Sequence, residues 1–163
     1  MPVFTDEQAG ISHERDAGEQ VLPEFAYVYG LLVKEATVPF RNILLKIMNH
    51  DYIKGAVLWH CSEGKDRCGL TTAMVLEALG VDRQTIMEDY LKTNLVNLPK
   101  AAGIRDQLIV TRGKEFADNV YQAYIADERY LQAAWDAMGE HYITENLGID
   151  KETINRFRAA VLE

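Results

Sequence analysis

Basic charge, cysteine and long apolar runs are all scarce in this chain, and each scarcity removes a class of function. The 163 residues carry a net charge of −8. An acidic surface does not make broad contact with nucleic acid or an anionic membrane, because both need a positive field. A local positive pocket inside an acidic protein remains compatible with it. Cys61 and Cys68 are the only two cysteines, and a pair seven residues apart is not the framework of a disulfide-built secreted domain. The N-terminus lacks the basic-then-apolar signature of a leader, and no apolar run reaches bilayer length, so a cytoplasmic protein without membrane insertion is expected. His13, His50 and His141 have no partners at ligand spacing, so no metal site is expected. Internal repeats, low-complexity tracts and linkers are also missing. What is present is ordinary: 48% hydrophobic and 26% charged residues. That is enough for one soluble domain over 1–163 with a real core.

Helical signals dominate. Pro2-Val3-Phe4 reads as the end of a strand, followed by a polar loop from Thr5 to Gly10 and little regular structure as far as residue 22. Pro23 opens a helix with Phe25, Val28, Tyr29 and Leu32 at helical spacing. Thr37-Val38-Pro39 interrupts it, and a second helix presents Phe40, Ile43, Leu44, Ile47 and Met48. Gly55 precedes the apolar run 56–60, which reads as a fully buried strand. The stretch 68–79 is apolar nearly all round, the mark of an interior helix, and it stops at Gly80. Asp82, Asp127 and Asp150 are suited to cap three further helices. The first covers 83–94. The second carries a stripe of Tyr130, Leu131, Ala134, Trp135 and Met138. The third carries Ile154, Phe157, Val161 and Leu162. Between them, Leu98-Pro99 predicts a break, 100–126 reads as helix interrupted at Gly103 and Gly113, and 140–147 as a short helix. The expected fold class is α/β, helix-dominated, with a small and incomplete sheet.

The chain is organised around residues 56–80. A strand-like run ends at His60, a thiol follows at Cys61, and the loop Ser62-Glu63-Gly64-Lys65-Asp66-Arg67 leads into the apolar helix. A thiol attacks only as a thiolate. Here the positive end of a helix dipole, loop N–H groups without internal partners, and the charges of Arg67 and Lys65 would all favour the anion. The same features bind phosphate, with Arg67 able to hold two oxygens as a fork. Gly64 lets the loop bend and Gly69 lets backbone approach closely.

His60-Cys61-x5-Arg67 with Gly69 after it resembles the signature of the cysteine-based protein tyrosine phosphatases. The Gly64-Lys65-Asp66-Arg67 filling is similar to a bacterial tyrosine/serine and phosphoinositide-active branch whose loop reads H-C-x-x-G-K-D-R-T-G. Leu79-Gly80-Val81, Asp89-Tyr90-Leu91 with Asn94, Tyr130-Leu131, Tyr142-Ile143 and Leu147-Gly148 extend the likeness over most of the chain, most firmly from 55 to 95. The resemblance implies a tyrosine-phosphatase-like fold and a two-step displacement without metal or cofactor. Cys61 would attack phosphorus, and residues Ser62 to Arg67, Glu63, Gly64, Lys65 and Asp66 among them, would hold the phosphate. His60, Cys68 and Gly69 would support the loop. Asp6 would be the general acid, with Asp66 as its competitor. Phosphotyrosine is the implied substrate, with phosphoserine/threonine, a small phosphomonoester or a phosphoinositide as further ones.

Two departures stand out. Position 68 is Cys where the pattern has Thr or Ser, and a thiol is the weaker hydrogen-bond donor. Slower hydrolysis of the phosphocysteine is expected, and Cys68 is also placed to trap an oxidised Cys61. Fewer strands precede the loop than family members carry, which predicts an open sheet edge and a homo-oligomer formed through it. Two alternatives therefore stay beside the phosphatase: a catalytically impaired phosphate-binding pseudophosphatase, and a redox protein using Cys61 and Cys68. Among bland readings, Trp59 and Trp135 belong to the core, Glu63 is simply exposed, and Lys54, Arg105, Arg112 and Lys114 are either a basic rim or ordinary surface charges.

Overall fold

The computed structural model describes residues 24–162, and the frame they form is built on the interior helix α3, Asp66–Leu79. Its Leu70, Ala73, Met74, Val75 and Ala78 are all buried. Around it pack α2 (Thr37–Met48), α4 (Arg83–Leu91) and α8 (Lys151–Val161). An interior helix must still satisfy its last carbonyls. Gly80 ends α3, and the Arg158 guanidinium of α8 donates to the Ala78 carbonyl at 2.6 Å.

A second layer joins α1 (Phe25–Glu35) to α7 (Glu128–Met138). The stripe expected on α7 is the face that it buries: Tyr130, Leu131, Ala134, Trp135 and Met138. Phe25 and Tyr29 lie against the Tyr130 ring, with centroids 5.8 and 5.5 Å away. The Tyr142 hydroxyl, in a π-helical turn over Tyr142–Asn146, donates to the Val33 carbonyl. The third unit is an antiparallel hairpin of α5 (Asn94–Arg112) and α6 (Lys114–Tyr124). Its open end is closed by Asn94, whose amide exchanges two hydrogen bonds of 2.8 Å with the backbone of Ala126, and by Asn97, which donates to the Tyr124 carbonyl. The three aspartate caps form as expected. Asp82, Asp127 and Asp150 accept from the N–H groups of Thr85, Arg129 and Thr153.

The helix-dominated architecture matches expectation, but several elements differ. The first two helices part at Ala36, one residue before Thr37, and α4 ends at Leu91. Pro99 does not break α5. Proline leaves one carbonyl, that of Leu95, without its helical donor, and Leu95 is 80% exposed, where water replaces the bond. Gly103 does not interrupt α5 either, since one helical glycine costs only about 1 kcal/mol. Gly113 does separate α5 from α6. Leu162, expected inside, is 61% exposed just past the end of α8.

The segment 56–60 is the main correction. It is extended, yet no strand is assigned among the described residues. A strand exists only with a ladder partner, and none of the described residues supplies one. It is also not fully buried. Val57 and Trp59 pack on the core and Leu58 is 89% exposed, the two-residue alternation of a half-covered strand. The Trp59 indole donates to the Thr72 hydroxyl of α3 at 3.2 Å, which fastens the segment to the interior helix. Pro2-Val3-Phe4 and Asp6 lie outside the described residues.

Candidate active site

Cys61 follows Trp59 at the same period of two, so its side chain turns inward at the N-terminus of α3. It is half-buried. The loop from Ser62 to Lys65 then folds back over it, and Gly64 makes the bend with φ +70°, a conformation that side-chain-bearing residues rarely adopt. The backbone N–H groups of Cys68, Gly64 and Glu63, and the thiol of Cys68, all favour the anionic form of the Cys61 sulfur. Burial raises the pKa of this thiol, but the four donors together outweigh burial and hold it below the ordinary cysteine value. Cys68 moves the other way. Burial, its hydrogen bond to Cys61 and the neighbouring negative charge push it up to about 12. The two shifts oppose each other, so Cys61 is the more readily ionised thiol of the pair and Cys68 the one that stays protonated and donates.

Arg67, in the first turn of α3, lies half-buried, with one guanidinium nitrogen 3.5 Å from the Ser62 hydroxyl. Arg67 and Cys61 open onto one cavity of about 350 Å3, walled by Ile43 and Ile47 of α2 and by Val57 and Trp59. His60 and Cys68 also line it. Glu63 is not simply exposed. Lys100 of α5 donates to its carboxylate at 2.6 Å, tying the loop to the hairpin.

Lys65 turns inward. Its side chain is fully buried, and its ammonium donates to the Ala123 carbonyl of α6 at 2.8 Å. It also pairs with the Asp66 carboxylate at 3.1 Å and sits 4.8 and 5.2 Å from the ring centres of Phe25 and Tyr130. Every one of these contacts is internal to the protein. Burial lowers its pKa, while the Asp66 and Glu63 carboxylates oppose that fall. Asp66 is drawn inward by the same pairing, and its side chain is 30% exposed. Below it, Tyr29 and Tyr90 share a hydrogen bond of 2.7 Å. Burial first, then the Asp66 charge, raises the pKa of Tyr29.

Gly69 serves a close approach. A Cβ there would come within 2.9 Å of two ring carbons of Tyr90. That ring is 5% exposed and held by Tyr29, so it has little room to retreat. Gly69→Ala is expected to destabilise the fold by about 1–3 kcal/mol, the usual cost of overpacking. Urea unfolding followed by circular dichroism checks this, with an unchanged midpoint as the contrary result.

The residues once open to a basic-rim reading do not gather at the site. Arg105 and Lys114 both reach Asp118, at 2.5 and 3.2 Å. Lys54 pairs with Asp51, and Arg112 stacks over Phe116. Among the described residues no group of three or more His, Cys, Asp or Glu is arranged to hold a metal ion. No helix there is long and apolar enough to cross a membrane. Sequence reasoning missed Lys100, Phe25 and the Tyr29–Tyr90 pair. Each meets the loop or α3 from far along the chain, and no local pattern announces such a meeting.

A sequence model described as the tyrosine phosphatase family matches residues 2–163. The chain is 36% identical over 121 residues to the triple specificity protein phosphatase PtpB of Mycobacterium tuberculosis, across 65% of this chain and 44% of that protein. It is 31% identical over 132 residues to a Cupriavidus necator protein provisionally named a tyrosine-protein phosphatase, across 76% of this chain and 45% of that one. The chain thus spans less than half the length of both relatives.

Proposed function

The chain belongs to the tyrosine phosphatase family, and on that premise we propose that it hydrolyses phosphomonoesters through a phosphocysteine at Cys61. The opening of Cys61 and Arg67 onto one cavity at the N-terminus of α3 carries this reading, and the N–H groups of Cys68, Gly64 and Glu63 favour the anionic Cys61 sulfur. Donors fixed around that sulfur also surround the phosphoryl group that bonds to it, and they need no reorganisation as charge moves. In the first step the thiolate forms the P–S bond while the ester P–O bond breaks. The leaving oxygen takes a proton from a carboxylic acid. In the second step water attacks phosphorus, the P–S bond breaks, the carboxylate recovers a proton and the thiolate is restored. Arg67 holds two equatorial oxygens throughout.

Asp6 is the proposed acid. The pairing of Asp66 with the buried Lys65 supports that assignment, because it engages the competing carboxylate inside the protein. Phosphotyrosine is the proposed substrate, with phosphoserine/threonine or a phosphoinositide headgroup as further ones. The name of the mycobacterial relative, a triple specificity phosphatase, supports breadth.

Burst kinetics with an aryl phosphate test the proposal. A burst equal to the enzyme concentration followed by steady turnover is expected. A burst without turnover would instead mark a phosphate-binding module, and absence of both would end the phosphatase reading. The acid limb of kcat/KM should fall below the ordinary cysteine range, because lowering the Cys61 pKa keeps the nucleophile ionised to lower pH.

Cys68 bears on the second step. Cys68→Ser replaces a weak S–H donor at the leaving sulfur by a stronger O–H donor. It is expected to raise the rate of phosphocysteine hydrolysis by about three- to tenfold, a gain of 1 kcal/mol or so from one better hydrogen bond. Rapid-quench measurement of intermediate decay reads this directly, and an unchanged or slower decay would contradict it.

A further inference from the structure

We propose that Lys65 is a positioning residue whose buried ammonium pins the phosphate loop to α1, α6 and α7, and so keeps the loop N–H groups aimed at Cys61. The inference rests on the phosphatase reading for its purpose, but not for its geometry. One ammonium meets three helices: the Ala123 carbonyl of α6 at 2.8 Å, the Phe25 ring of α1 at 4.8 Å and the Tyr130 ring of α7 at 5.2 Å. It also meets Asp66, the next residue of the loop, at 3.1 Å. A lysine side chain with 0% exposure is unusual, and a buried charge persists only where it is paired and hydrogen-bonded. Here each partner is of the kind a cation requires: a carbonyl, a carboxylate and two aromatic faces.

The placement in the chain gives the contact its consequence. Lys65 lies between Gly64, which makes the loop's bend, and Asp66, where α3 begins. Two of the N–H groups on Cys61 come from Glu63 and Gly64, immediately before it, and the third from Cys68, three residues beyond. A glycine at φ +70° has no side chain by which to anchor the bend. The loop is fixed on both sides of that glycine, at Glu63 by the surface pair with Lys100 and at Lys65 by a fully buried cage. A lysine binding phosphate directly would need that ammonium free.

The experiment follows alkylation of Cys61 by iodoacetamide as a function of pH, read by peptide mass, which needs no turnover. The groups that face Cys61 are the Cys68 thiol and Arg67 from α3, with His60 and the Lys46 of α2 lining the same cavity. None of these is altered. Lys65→Met keeps the length of the side chain and removes the charge. Phe25→Leu disturbs the cage from α1, outside the cavity that Cys61 and Arg67 line. Both variants are expected to move the alkylation midpoint upward, with the rate below the midpoint about tenfold lower for Lys65→Met. Because they act through one cage, the double variant should move no further than Lys65→Met alone. Lys65→Arg should fail to restore the midpoint, since its planar fork does not fit a cage built around an ammonium. The proposal is overturned if Lys65→Met leaves the midpoint in place while weakening inorganic phosphate protection of Cys61, for that pattern belongs to a phosphate ligand. It is equally overturned if Phe25→Leu, folded by circular dichroism, leaves the midpoint unchanged. Failure of the phosphatase reading would show differently, as an unshifted wild-type response with no turnover of aryl phosphate.

Discussion

Cys61→Ser is expected to lower aryl phosphate turnover by at least about 10^3-fold, the scale on which enzymes lose rate when a covalent nucleophile is removed. A serine hydroxyl is far less acidic than a thiol and does not ionise near neutral pH, whereas N–H donors from Cys68, Gly64 and Glu63 lower the pKa of the cysteine. Those donors are backbone groups and stay where they are in the variant. Phosphate binding should therefore survive while chemistry stops, so the loss belongs to kcat and not to affinity. Rapid-quench kinetics should show no phosphoenzyme burst, and competition with inorganic phosphate should give an inhibition constant close to that of the wild type. Full activity in the variant would remove Cys61 from the mechanism altogether.

The second large effect is expected at Arg67. Arg67→Lys retains the charge and loses the planar fork, which separates electrostatics from geometry. The guanidinium sits in the first turn of α3, beside the Ser62 hydroxyl and on the same cavity as Cys61. Two parallel hydrogen bonds to equatorial oxygens strengthen as negative charge gathers there in the transition state. A single ammonium cannot reproduce that pair. A fall of about 10^2–10^3-fold in kcat/KM is expected, comparable to loss of one preorganised donor to a developing oxyanion. Arg105→Lys is the matched control. Its guanidinium is spent on Asp118 at 2.5 Å, so activity should stay within about twofold of wild type, as for a surface substitution outside the site. Equal losses at the two arginines would mean that the fork at Arg67 has no special part in the rate.

The parts of the protein legible in its sequence are those governed by local rules. Helix caps are local, so Asp82, Asp127 and Asp150 sit where expected. The buried stripe of α7 is local, because a period of 3.6 residues places Tyr130, Leu131, Ala134, Trp135 and Met138 on one face. The continuity of α5 through Pro99 is not legible in the sequence. Whether a lost helical hydrogen bond matters depends on what surrounds the freed carbonyl, and the exposure of Leu95 is a property of the folded chain. The buried strand at 56–60 failed for a related reason: an apolar run shows a wish for cover but not its source. Its outer face carries Leu58, and no ladder partner lies among the described residues.

At the site the division runs through single residues. Seven positions of sequence separate Cys61 from Cys68, and the loop between them holds a glycine able to bend. Such spacing determines that a thiol meets a helix N-terminus, because short-range geometry leaves the chain few other paths. In the sequence Lys65 and Arg67 are both cations of an anion-binding loop, and only Arg67 offers the fork. The direction of each side chain belongs to the tertiary structure. That structure brings Ala123 from 58 residues away to the Lys65 ammonium, together with two aromatic rings, and leaves Arg67 on the cavity. A side chain's direction is set by what packs against it, and partners so distant in sequence meet only through the arrangement of α1, α6 and α7.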